Sequence, residues 1–112
     1  MAFTALFIAH APDADPERDR ALIDTGVYKL FTVVVKDQEQ ALDVCRRMVA
    51  EEGIHSVLLC PGNTHEDVAG IAAAVGEGVS VSVARGDARS MRVAAKSMEE
   101  AGWFAARSRP GA

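Results

Sequence analysis

Apolar runs and apolar stripes alternate along this chain. Residues 2–9, Ala-Phe-Thr-Ala-Leu-Phe-Ile-Ala, are almost continuously apolar, the pattern of a central strand covered on both faces. Two further runs, 27–35 ending in Val33-Val34-Val35 and 54–60 containing Val57-Leu58-Leu59, predict buried strands of the same kind. At 79–84 Val alternates strictly with small residues, so one face of that strand is apolar and the other carries small hydroxyls. Between the runs the period changes to about 3.6. Ala41, Leu42, Val44, Cys45, Met48 and Val49 make one stripe over 38–52; Val68, Ile71, Ala72 and Val75 make another over 64–75; Met91, Ala94, Ala95 and Met98 make a third over 88–101.

The punctuation agrees with those boundaries. Asp37 with Gln40 reads as a capping box, and Gly53 as a left-handed C-cap. Asn63 is the expected N-cap of the second helix, with Glu66 completing its box, and Asp87 caps the third. Asp15-Pro16 predicts a short helix from 16 to about 23, closed by Gly26. Trp103-Phe104-Ala105-Ala106 reads as a short fifth strand, and 108–112 as a frayed end. Strands alternating with helices imply an α/β domain over residues 1–112: a small, open, mostly parallel sheet of four to five strands with helices on both faces. In order of appearance along the chain, the four main strands are expected in the spatial order 2-1-3-4. Flavodoxin-like layers are the first expectation, and half of a (β/α)8 barrel is the alternative.

Composition narrows the function classes. A net charge of −4 argues against a nucleic-acid binder, which needs a basic surface to neutralise phosphates. Arg85, Arg89, Arg92, Lys96, Arg107 and Arg109 make the last quarter locally basic, as solvated helix faces and a loose tail. The two cysteines, Cys45 and Cys60, form no CxxC and no disulfide framework, which suits a reducing compartment. The opening run lacks a basic leader and is too short to span a bilayer, so the chain is expected in the cytoplasm, away from membranes. The Ala-rich second helix, the Met-bearing third and Trp103-Phe104 carry enough apolar surface to predict a homo-oligomer, a dimer or larger.

Three segments together carry a family resemblance. They are Ala9-His10-Ala11-Pro12 with Ala14-Asp15-Pro16, the strand end Val33-Val34-Val35-Lys36, and Leu59-Cys60 with Gly62 followed by His65-Glu66. Over about residues 3–86 the chain resembles a family of short bacterial proteins of unknown function. That family tends to have a Cys-Gly-Gly turn, where this chain has Pro61 between Cys60 and Gly62. The resemblance implies an α/β fold and assigns no activity to any residue.

The chemistry-bearing residues cluster at predicted strand ends. In open α/β sheets ligands bind outside the carboxyl ends of the strands, where Lys36 also falls, so His10, Cys60, Asn63, His65, Glu66 and Arg85 are the candidate pocket. Cys60 beside a helix N-terminus and an imidazole has the surroundings of a reactive thiol, although a cysteine ending a core strand is more often packing. His10, Cys60 and His65 are the residues a divalent metal would draw on, but adjacent His65 and Glu66 diverge on a helix, and no metal is assigned. No phosphate loop or dinucleotide fingerprint occurs, and no cofactor is expected. Two function classes remain: a small-molecule binder or modest enzyme working at the strand ends, and a non-catalytic oligomeric scaffold or regulatory module.

Overall fold

A computed structural model describes residues 1–107; the segment 108–112, read above as a frayed end, lies outside the described residues. Strands β1 (Phe3–His10), β2 (Arg20–Asp24), β3 (Tyr28–Val35), β4 (Ser56–Leu59) and β5 (Ser80–Val83) form one open sheet in the order β2-β3-β1-β4-β5. All neighbours are parallel except β2, which pairs antiparallel with β3. The helices are α1 (Gln38–Glu52), α2 (His65–Val75), α3 (Ala88–Glu100) and the short α4 (Trp103–Arg107). The expected spatial order of the four main strands holds. With β1 lying between β3 and β4, adjacent strands do not follow chain order, which rules out a half (β/α)8 barrel.

Two elements depart from the sequence reading. Residues 16–19 make only one turn, in which Asp15 Oδ1 accepts from Glu17 N–H and Asp19 pairs with Arg18 at 2.8 Å. The chain then enters β2 instead of a helix. Asp24-Thr25-Gly26 closes a hairpin, with Gly26 at φ 106 and Asp24 Oδ1 accepting from its N–H. Five cross-strand pairings with β3 outweigh the helical preference of so short a segment. At the other end, Trp103–Arg107 is helical, not a fifth parallel strand: after Gly102, at φ 79, the chain turns back onto α3.

The core occupies one side of the sheet. Leu6 and Ile8 of β1, Val33 and Val35 of β3, and Val57 and Leu59 of β4 are fully buried against Val44, Cys45, Met48 and Ile71 from α1 and α2. Alternation sends every second residue to this face. Both helical crossovers, β3 over β1 to β4 and β4 to β5, run the same way along the sheet. Right-handed connections in one direction place both helices on one face. Gly70 in α2 lets the Gln38 side chain close in, and Gln38 Nε2 donates to the Asp67 carbonyl at 3.1 Å, tying the two helices together.

The opposite face therefore lacks the helices expected there. In a doubly wound sheet the return from β1 to β3 would carry a helix on that side; here a hairpin through β2 makes the connection. Alternation leaves Phe3, Ala5, Phe7 and Ala9 on this side, with Tyr28, Leu30, Thr32 and Val34 from β3. Ala21 and Ile23 from β2, Ser56 and Leu58 from β4, and Ser80 and Ser82 from β5 complete it. Phe3 is 51 % exposed, Ile23 59 % and Leu58 42 %. Amphipathic α3 buries none of its residues.

Candidate functional site at the strand ends

β1 and β4 are adjacent and parallel, so their carboxyl ends stop side by side. Ile8 pairs with Leu59, and Cys60 N–H donates to the Ile8 carbonyl at 3.1 Å. That register sets His10 Nδ1 3.5 Å from the Cys60 sulfur. Cys60 is half-buried. Burial pushes its thiol pKa up, but the His10 ring, the Gly62 backbone and His10's own backbone stabilise the thiolate. The net result lies below the ordinary value of 9.0. An imidazole within reach of a thiol of lowered pKa is the arrangement that makes cysteine nucleophilic.

The turn after Cys60 is fastened from beneath. Asn63 is buried; its Nδ2 donates to the Cys60 carbonyl at 3.0 Å and approaches the sulfur at 3.6 Å. Arg85, just past β5, donates through Nη1 to the Asn63 carbonyl at 2.8 Å. His10, Cys60, Asn63 and Arg85 thus form one chain of contacts across three strand ends. Asn63 is not the N-cap expected of it. Thr64 is: its hydroxyl accepts from Asp67 N–H, and the Asp67 carboxylate accepts from Thr64 N–H, each at 3.0 Å. The capping box lies one residue further along because Asn63 is drawn inward to hold the turn.

Above this floor lies a cleft of about 600 Å³. His10, Cys60, Pro61 and Gly62 line one side, and Lys36, Asp37, Gln38 and Asp67 come from the starts of α1 and α2. Met91, Ala94 and Met98 of α3, with Trp103, make the apolar far wall. Lys36 is set at the rim because Gln40 Oε1 accepts its N–H at 2.8 Å, one residue before the Asp37 cap. Of the six pocket candidates, His10 and Cys60 line the cleft, and Lys36, from the same strand-end face, joins them. Asn63 and Arg85 support its floor from outside the lining, and His65 and Glu66 are exposed on the first turn of α2, away from it. His65 therefore does not complete a metal set with His10 and Cys60. Among the described residues no three His, Cys, Asp or Glu side chains are grouped to hold a metal ion.

The α3 wall was not assigned to the pocket from sequence. Its stripe of Met91, Ala94 and Met98 was legible, but a stripe alone does not say whether it faces a core, another subunit or a cleft. No described helix is long and apolar enough to cross a membrane.

The chain belongs to a family of unknown function, DUF6506, which matches it over residues 3–99. The match extends past residue 86 to include nearly all of α3, so the helix that walls the cleft is part of the family's domain. No curated protein and no solved structure matches the chain.

Proposed function

We propose that the protein binds a small molecule in the strand-end cleft, with Cys60 as the reactive group and His10 as the residue that holds its thiolate. The carrying observation is the His10–Cys60 pair at the polar end of a cleft whose far wall is apolar. Ligand sites commonly combine an apolar lining with a few convergent polar groups. The ligand that fits is compact, with an apolar body for Met91, Ala94, Met98 and Trp103 and a polar or electrophilic head for Cys60. Both cysteines are free thiols, and a working thiol at Cys60 fits a reducing compartment, the cytoplasm.

Native mass spectrometry of gently purified protein tests this. The wild type carries a small-molecule adduct, and Ala94→Trp, which places a bulky ring in the cleft from its α3 wall and leaves His10 and Cys60 unchanged in sequence, loses it. A wild-type spectrum containing bare chain alone, or an adduct that persists in Ala94→Trp, contradicts the proposal. The alternative of a scaffold assembled from copies of the chain draws on a different observation, the uncovered sheet face.

A further inference from the structure

We infer that the helix-free face of the sheet is the docking surface for a second copy of this chain, sheet against sheet. The face is large, apolar at its centre and without charge. None of its positions on the five strands carries a charged side chain, in a chain of which 25 % of residues are charged. The charged residues of these strands, Arg20, Asp24 and Lys29, alternate to the other side. Phe3, Ile23 and Leu58 are more than two-fifths exposed, and Tyr28 is 36 % exposed. The Phe3 ring stacks between Tyr28 at 5.9 Å and His55 at 5.5 Å, giving an aromatic row along one border.

Size supports the same conclusion. At about 4.8 Å between strands and about 3.3 Å per residue, the face measures roughly 24 by 20 Å. That is a flat footprint of about 480 Å², about three-fifths of the roughly 800 Å² per partner of a standard interface before the relief of its projecting side chains is counted. A patch of this extent is in the range of the largest apolar patch on a single chain, which is often functional.

The uncharged character selects the occupant. A face without charge offers no ion pair to choose an acidic or basic partner, whereas a second copy brings the same uncharged surface and buries no charge on either side. Two-fold docking of one patch on itself is also the commonest route to a closed assembly. Paired sheets pack about 10 Å apart with interdigitating side chains. Small Ser80 and Ser82 at one border and larger Ile23 and Tyr28 toward the other would interlock when a two-fold axis reverses one sheet over the other.

Light scattering coupled to size exclusion, at concentrations from about one to a hundred micromolar, tests the assignment. The wild type has the mass of two chains. Leu58→Glu and Ile23→Lys each raise the dimer dissociation constant roughly 100-fold or more, because each places an unpaired charge in the interface twice. Both positions are exposed in the single chain, so both variants keep the wild-type circular dichroism spectrum. Leu22→Lys, on the same strand as Ile23 but facing the other way, leaves the dimer intact. A monomeric wild type overturns the inference. So does a dimer that survives both face variants, or one that is dissociated by Val93→Glu on α3 and not by them.

Discussion

Cys45 and Cys60 differ in what surrounds the sulfur. Cys45 is fully buried among aliphatic side chains, and burial pushes its thiol up to about 12. At Cys60 burial acts in the same direction, but His10 and the Gly62 backbone outweigh it. Iodoacetamide at neutral pH should therefore label Cys60 in the folded protein and leave Cys45 unmodified until the chain unfolds. The rate at Cys60 should rise with pH through a midpoint below 9.0, the ordinary thiol value. His10→Ala removes a group that lowers the pKa, so its midpoint moves up and labelling at pH 7 slows, by about several-fold. Equal labelling of both thiols, or a midpoint unmoved by His10→Ala, would count against the pair. The two roles were partly legible in the sequence, since Cys45 lies on a helix stripe and Cys60 ends a strand. Their electrostatics were not, because the His10 contact spans fifty residues and depends on the register of β1 against β4.

At the scale of elements, patterning located α1, α2 and α3 to within about a residue, and their caps explain why. Only at α2 did the cap residue differ, because Asn63 and Thr64 are both good caps and the choice between them is made by the buried turn. Thr64→Ala should cost about 1 kcal/mol of stability, measured by urea unfolding. Asn63→Ala should instead change the labelling rate of Cys60, since it unfastens the turn. A Thr64→Ala variant as stable as wild type would place the cap elsewhere. The sequence missed β2 because Arg20-Ala21-Leu22-Ile23 has no strong local preference and becomes a strand only through pairing with β3. It read α4 as a strand because four apolar residues after a glycine fit either state, and their return onto α3 is a tertiary contact.

For the whole molecule, alternation of strands and helices was enough to predict a mostly parallel open sheet and the order of its main strands. The layering was not legible. It depends on how β1 connects to β3, and once that link is a hairpin, handedness leaves one face uncovered. Val34 shows the difficulty: it belongs to a run of three valines that reads as buried on both faces, yet it is only half-buried, on the helix-free side. The cleft is likewise a property of the assembled chain, made from three strand ends, two helix starts and a wall from α3 and Trp103. Its occupation by a ligand is the central claim. The most direct measurement is the rate of Cys60 alkylation by iodoacetamide, mapped by peptide mass, with and without the small-molecule fraction of a cell extract. Protection of Cys60 in the wild type, lost in Ala94→Trp, is the predicted result; an alkylation rate unchanged by the extract would contradict it.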